Sequence, residues 1–339
     1  MHRAPDPRRD RSAPTAADGA EAAGPRGPRF DRPVPDGGYH WQYLDGVSDD
    51  GTQGIVIIAM VGHPFSPFYH RARRRGLGSP LRFCAMNAAV YGARRATSAF
   101  ALEERAISPR DRAADAVTIG GSTMRWEGDE LVVDLDERTT PGSHDFRAPV
   151  RGRVRFCPEA RPQVGLAIDP EGRHRWWPVA PLGRIEVELS EPRVRFRGHG
   201  YHDANAGTEP LQAGFDTWSW SRTAGPTGAR LAYDVRTRGG SALSHSFLVR
   251  PGGGVEEAPP TTQIDLGRTL WGLRRPARVE LGAETRVARV LEDGPFYARA
   301  VLDTHVEGAP ARAMYETLDA RRLHRRWVRY CTAYRMRRP

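Results

Sequence analysis

The stretch GHGYHDANAG, Gly198 to Gly207, decides how this chain is read. It follows RVRFR (Arg193–Arg197), whose basic and apolar residues alternate, so the run reads as one long strand. Successive side chains on a strand point to opposite faces. His199, Tyr201 and Asp203 then share one face, and Gly200, His202 and Ala204 the other. An acid, a phenol and an imidazole on one face form either a polar accident at a surface or a site.

Outward from this strand the pattern is a meander of short strands between Gly, Asp and Pro turns. TQGIVIIAMV (Thr52–Val61) follows an Asp-Asp-Gly turn. DAVTIGGSTMRWEGDELVVDLDE carries a hairpin turn at Glu127–Asp129, and RGRVRFCP, RHRWWPVAP and GRIEVELSEP continue the alternation. PFYHRARRRGLG (Pro67–Gly78) reads as a short helix or a loop. The expected fold class is all-β, a sandwich or closed barrel. A weak internal echo sharpens this. HWQYLD, a turn and GIVIIAM resemble TWSWSR (Thr217–Arg222), a Gly/Pro turn and ARLAYDV. Two similar β-barrels in tandem would explain the length. The expected division is a Pro- and Arg-rich disordered tail over residues 1–36, one barrel over 37–208 and a second over 209–339. The opening stretch falls at their junction, where sites often form.

Composition bounds the rest. The chain has 339 residues, and its net charge of +10 comes entirely from arginine, with no lysine. Such a charge suits nucleic acid or an anionic membrane surface, and no recognised nucleic-acid module accompanies it. Cys84, Cys157 and Cys331 are odd in number and far apart, which argues against a disulfide framework or a structural zinc site. The N-terminus lacks the apolar core of a signal peptide. The longest apolar run, Ile55–Val61, is far short of the ~20 residues of a membrane helix. A soluble or peripheral protein of the cytoplasmic side is expected.

Several chemistries are poorly served. His199 and His202 are three apart, so a strand separates them, and no HExxH or Cys/His pair occurs; no metal is expected. There is no GxSxG elbow and no GxGxxG between strand and helix. A second cluster, GRHRWWP (Gly172–Pro178), places His174 and Trp176 on one face and Arg175 and Trp177 on the other. Paired tryptophans most often fill cores. Two clusters that each join an imidazole to an aromatic at i, i+2 also fit a pocket with aromatic walls. Asp203 in such a pocket would be desolvated, which raises a carboxyl pKa and leaves a general acid at neutral pH. Aromatic faces stabilise a nearby cation by roughly 1–2 kcal/mol each when dry. Acid and π-faces together suit protonation of a carbon–carbon double bond, followed by hydration or cyclisation.

On these residues the chain resembles the carotenoid 1,2-hydratases, or hydroxyneurosporene synthases, of photosynthetic bacteria. The matching stretches are HWQYLDGVSDDG, IVIIAMVGHPFSPFYHRARRRG, RHRWWPVAP, GHGYHDANAGTEPL and FDTWSWSR. The chain departs from that family picture at His63, where a small or apolar residue is expected. The resemblance implies tandem lipocalin-like β-barrels. It implies cofactor-independent addition of water to the C1–C2 double bond at the ψ-end of an acyclic carotenoid such as neurosporene or lycopene. The residues it implicates in catalysis are Asp203, Tyr201, Trp176 and His174; which of them positions the water stays open, His174 being one candidate. His199, Trp177, Trp41, Trp218 and Trp220 are the expected substrate-binding residues.

The substrate so implied lives in a bilayer. The loop HPFSPFYHRARRRG could dip Phe65, Phe68 and Tyr69 into an anionic membrane interface while Arg73, Arg74 and Arg75 meet phosphates. RRLHRRWVRYCTAYRMRRP at the C-terminus offers a second basic and aromatic surface, or else an edge strand with Trp327 and Tyr330 in the barrel. Two rival functions share the scaffold: a cyclase or a catalyst of intramolecular cycloaddition, the latter needing no strong acid, and a carrier that merely holds a lipid or carotenoid. A fold does not separate these, because function lives in the site.

Overall fold

The computed structural model describes residues 24–338. The first part of the chain forms β1 (Tyr39–Ser48), β2 (Gly54–Val61), α1 (Pro67–Arg73), β3 (Cys84–Tyr91), β4 (Ala99–Arg105), β5 (Arg112–Ala113), β6 (Ala116–Ile119) and β7 (Ser122–Glu127). It continues through β8 (Glu130–Arg138), β9 (Pro149–Ala160), β10 (Leu166–Ala167), β11 (His174–Ala180), β12 (Leu182–Glu191) and β13 (Val194–Gly207). These thirteen strands make one sheet in the order β4-β3-β2-β1-β13-β12-β9-β8-β7-β6-β5, with β11 also paired to β13 and β10 to β11. The short helix α2 (Leu211–Gly214) leads to β14 (Phe215–Gly225), β15 (Gly228–Thr237), β16 (Ala242–Val249), β17 (Val255–Glu257), β18 (Thr261–Arg268) and β19 (Arg274–Glu280). The remaining elements are β20 (Arg286–Asp293), β21 (Tyr297–Val306), β22 (Ala309–Asp319) and α3 (Arg326–Arg335). A second sheet runs β17-β16-β15-β14-β22-β21-β20, and β18 and β19 form a separate hairpin.

The internal echo is a topological repeat. The W-x-aromatic strand of each half is central: β1 pairs with β2 and with β13, and β14 pairs with β15 and with β22. Each half therefore brings its first and last strands side by side. The expected hairpin at Glu127–Asp129 joins β7 to β8, with Glu127 opposite Glu130.

Alternation in the first sheet separates two apolar layers. One face curls around Leu44, Ile57, Met86, Trp126, Val154, Phe156, Trp177 and their neighbours. The other face carries Tyr39, Trp41, Tyr43, Trp176 and Tyr201, which pack against Trp218, Trp220, Tyr233 and Phe247 of the second sheet. The far side of the second sheet buries Ala300, Leu302 and Tyr315 against Ala277 and Val279 of the β18–β19 hairpin. The middle layer is the richest in large aromatics, and each such buried side chain contributes roughly 1.5–3 kcal/mol. It therefore holds the two sheets together as well as lining what lies between them.

Two sequence expectations change. Residues 1–23 of the expected disordered tail lie outside the described residues, but residues 24–36 are packed. Phe30 is buried in the first core, and Arg112 donates to the carbonyls of Phe30 and Arg32. One aromatic anchor and satisfied carbonyls outweigh the polar composition of that segment. The C-terminal segment is the helix α3, not an edge strand. The chain beyond it returns to the first sheet, where the Glu104 amide donates to the Arg337 carbonyl at 2.6 Å and Arg338 pairs with Glu104.

Candidate functional site

The strand β13 changes environment along its length. Arg195, Arg197 and His199 face solvent; Tyr201, Asp203 and Asn205, on the same face, are covered by the second sheet. Parity set the direction of these side chains, and the docked sheet makes half of them a site. Opposite them on β1 stand Asp45, Tyr43 and Trp41 respectively.

Asp203 is 5% exposed. Its Oδ2 accepts from the Tyr201 hydroxyl at 2.7 Å and from the Trp176 indole N–H at 3.0 Å. Its Oδ1 is buried without a partner. Burial pushes the carboxyl pKa well above the ordinary value, the two hydrogen bonds oppose this, and the nearby Glu316 and Asp45 carboxylates raise it further. Two other carboxyls share the layer, and each has a cation. Asp45 accepts from Arg222 at 2.6 Å and Glu316 from Arg299 at 2.8 Å. Among the described residues Asp203 has no ion-pair partner. With two donors already on Oδ2, Oδ1 is the oxygen left to carry a proton when the carboxyl is neutral.

Aromatic rings enclose this group. Tyr201 packs on Trp220 with centroids 5.0 Å apart, Trp220 on Tyr43 at 5.8 Å, Trp176 on Tyr233 at 5.0 Å and Trp218 on Tyr233 at 5.5 Å. A cavity opens beside them, lined by Trp41, Tyr43, Met60, Phe65, Trp218 and Phe296 among others. Asp203 is not part of its lining; its cross-strand partner Tyr43 is. The Tyr43 hydroxyl lies 3.0 Å from Glu316 Oε1 and 3.2 Å from Asp45 Oδ2.

The structure thus brings together Asp203, Tyr201, Trp176, Trp41, Trp218 and Trp220. Three expectations need correction. His174 is fully buried, but its Nδ1 meets the Tyr39 hydroxyl at 2.9 Å and its Nε2 meets Glu209 at 3.3 Å. A Cβ on Gly207 or Gly214 would fall 2.6 Å or 2.4 Å from those nitrogens, so the ring is packed closely against glycine backbone. His174 contacts the Tyr39 hydroxyl, and Tyr39 stacks on Trp41. His199 is on the solvent end of β13, its side chain 60% exposed beside Asp49 and Arg184. Trp177 points to the opposite face, into the first core, under the Arg32 guanidinium. His202 also faces that way, with Nδ1 on the Tyr43 carbonyl.

The expected membrane loop is corrected as well. Tyr69 is buried, donates to the Gly38 carbonyl and stacks on Phe83. Arg73 lies over the Tyr69 ring and donates to the Gly37 carbonyl. Phe65 lines the cavity, and Phe68 is part-buried under Arg338. Arg74 and Arg75 are exposed. Large exposed apolar groups cluster on and beside α3 instead: Trp327, Tyr330, Tyr334, Trp271 and Leu270. Among the described residues no helix is long and apolar enough to cross a membrane.

Sequence reading missed Tyr43, Asp45, Arg222, Glu316 and Arg299. The first two were within reach: Tyr39, Trp41, Tyr43 and Asp45 alternate on one face of β1 as His199, Tyr201 and Asp203 do on β13. Arg299 and Glu316 meet only through the pairing of β21 with β22.

Two curled antiparallel sheets, each closing on its own first and last strands and packed over a buried acid, define a lipocalin-like tandem β protein. The fold is similar to that of an AttH candidate from Nitrosomonas europaea, with a TM-score of 0.55 and 13% identity over 83% of this chain and 92% of that one. Residues 57–339 match the family described as carotenoid hydratase CrtC, and the chain belongs to that family. It is 42% identical to the acyclic carotenoid 1,2-hydratase of Thiocapsa roseopersicina over 92% of this chain and 76% of that one. It is 40% identical to the enzyme of the same name from Rubrivivax gelatinosus, over 91% and 75%.

Proposed function

We propose that this protein adds water to the C1–C2 double bond at the ψ-end of an acyclic carotenoid such as neurosporene or lycopene, with Asp203 as the acid. The observation that carries this reading is a buried carboxyl without a cation, its Oδ2 taken by two donors and its Oδ1 free, in a wall of aromatic rings. Family membership supplies the reaction class.

The steps follow from charge stability. Asp203 Oδ1–H gives its proton to C2, forming a C–H bond and leaving the positive charge on C1, which is tertiary. The faces of Trp176, Trp220 and Tyr201 stabilise that cation. The Asp203 carboxylate, still held by Tyr201 and Trp176, stabilises it further. A water oxygen bonds to C1 and its surplus proton returns to Asp203, so acid and enzyme are regenerated and the product is a tertiary alcohol. The enclosure by rings and sheet limits stray capture of the cation.

Delivery of so apolar a substrate fits a peripheral position on an anionic membrane. The supporting feature is α3. Leu270 is 98% exposed and Tyr330 75%, Trp271 stacks on Trp327, and arginines surround them. The same helix supplies Cys331, Thr332 and Arg335 to the cavity wall, so a lipid-facing surface would adjoin the cavity.

The test is expression in a lycopene-producing host with pigment analysis by chromatography and mass spectrometry, beside Asp203→Asn. More polar pigments heavier by one or two waters, absent with the variant, are expected. Absence of new pigment from folded protein, with neurosporene tried as well, would leave cyclisation or carriage as the function.

A further inference from the structure

The cavity beside the acid holds a polar group that the proposed chemistry does not use. Strand β2 ends at Val61, and Gly62 takes φ +70° in a space where a Cβ would lie 2.5 Å from the Gly38 carbonyl oxygen. Only glycine fits that turn. It sets His63 into the cavity wall, where the residue is 1% exposed. The His63 amide donates to Phe83 and its carbonyl accepts from Ser66, so the backbone is fixed. Its ring meets Phe65 edge-on, yet neither ring nitrogen has a hydrogen-bond partner. Native structures rarely leave both nitrogens of a buried imidazole unpaired, and each such group calls for an explanation.

The rest of the lining says what would pair with it. Two further buried polar atoms without partners, the Tyr297 hydroxyl and the Trp218 indole N–H, belong to the same wall. The charged groups of the lining are closed in pairs, Glu292 with Arg335 and Glu316 with Arg299, so nothing there asks for a charged ligand. Ile58, Met60, Phe65, Phe100, Leu102 and Phe296 supply apolar surface. Burial holds the His63 pKa down at about 3, so the ring is neutral and offers one N–H donor and one lone pair. A hydroxyl group offers the same two complements.

We propose that this cavity is a seat for a neutral, branched, apolar alcohol whose hydroxyl is bound by His63. The identification of that alcohol with a tertiary terpenoid alcohol, the form of a hydrated ψ-end, rests on the hydratase reading; the seat itself does not. The site then discriminates ligands by the presence of one oxygen. It holds the alcohol end after water has been added, or admits a carotenoid end already hydroxylated.

Trp41 and Trp218 line the cavity and report on it. The purified full chain is titrated with linalool, an acyclic tertiary terpenoid alcohol, and with myrcene, a hydrocarbon of the same skeleton, following tryptophan fluorescence. Wild type should bind linalool about tenfold more tightly, as a buried hydrogen bond to an otherwise unpaired group predicts. His63→Leu should reduce the preference to less than about threefold and leave myrcene binding unchanged, while His63→Gln keeps part of it. If His63→Leu does not fold, Tyr297→Phe with wild type makes the comparison and should also narrow the preference. Equal binding of the two ligands by wild type would overturn the seat, as would an unaltered preference in both His63→Leu and Tyr297→Phe. Linalool preference without hydration of lycopene or neurosporene would refute the hydratase reading alone; hydration without the preference would refute the seat alone.

Discussion

Tyr201 and Asp203 stand two apart on one strand, and the phenol donates to Asp203 Oδ2 at 2.7 Å. Strand geometry alone puts them side by side. The second sheet makes the bond matter, because it removes water from both and leaves Oδ1 as the free end of an acid.

Removing the proton without changing the shape is the sharpest test of that arrangement. Asp203→Asn should lower turnover by about 10²- to 10⁴-fold, the usual contribution of a positioned acid, with an unchanged circular dichroism spectrum. Its stability should move the opposite way. The carboxyl pKa is higher in the folded than in the unfolded protein. Its stabilising contribution is therefore fully present below the unfolded value near ~4 and is lost as pH rises through the folded value. Asparagine does not titrate. The Tm of the variant relative to wild type should thus rise with pH from about 4 upward. The comparison must be between the two proteins, since His40 and His63, held at about 3, and His202, at about 4, act in the opposite sense below neutrality. A flat Tm difference across pH would mean that Asp203 is ionised in the folded enzyme.

Tyr201→Phe separates ring from hydroxyl. The ring remains to face the cation, while Oδ2 loses one donor that lowers the Asp203 pKa. A loss of about tenfold or less is expected, since one donor to a retained acid is removed. The alkaline limb of the pH–rate profile should move to higher pH. A loss as large as that of Asp203→Asn would put the phenol itself in the proton path.

The ion pair between Asp45 on β1 and Arg222 on β14 ties the sheets together at 2.6 Å, with both side chains almost wholly buried. Breaking it from one side strands a charge. Arg222→Leu should cost about 3–5 kcal/mol in denaturant unfolding. Asp45→Asn added to it should recover part of that loss, because the stranded charge is gone. A double variant less stable than the sum of the singles would show that the pair is not what couples the sheets.

Membrane contact through α3 makes a specific demand on its exposed rings. Flotation with anionic phosphatidylglycerol vesicles should fall severalfold for Tyr330→Ser with Tyr334→Ser and weaken with salt, as screened contacts do. Neutral vesicles should bind less. Equal flotation of wild type and the double variant would remove α3 from the reading.

Much of the fold was legible. The alternation between Gly and Pro turns gave the strands, and the echo between HWQYLD and TWSWSR marked the two central strands. Parity placed Tyr201 beside Asp203, and Trp176 beside His174, because parity is a property of the backbone; the resemblance is what marked them as a site. The same rule also selected His199, which is correct in direction and wrong in place: β13 extends past the edge of the covering sheet. His174 lies on the expected face, but its nitrogens meet Tyr39 and Glu209, contacts that depend on Gly207, Gly214, Tyr39 and Glu209, distant or featureless in sequence. Tyr69 looked like an anchor beside arginines and is instead part of the packing that holds Arg73.

What the sequence alone determined is therefore local: which residues form strands, which side chains share a face, and that Tyr201 stands beside Asp203. Those follow from backbone geometry and the period of two. Tertiary structure decided which part of a face is covered and which carboxyls receive a cation. It also decided that a buried imidazole at His63 faces a cavity unpaired. Such facts depend on how two sheets dock, and docking joins residues such as Tyr43 and Glu316 whose separation along the chain carries no signal of their contact.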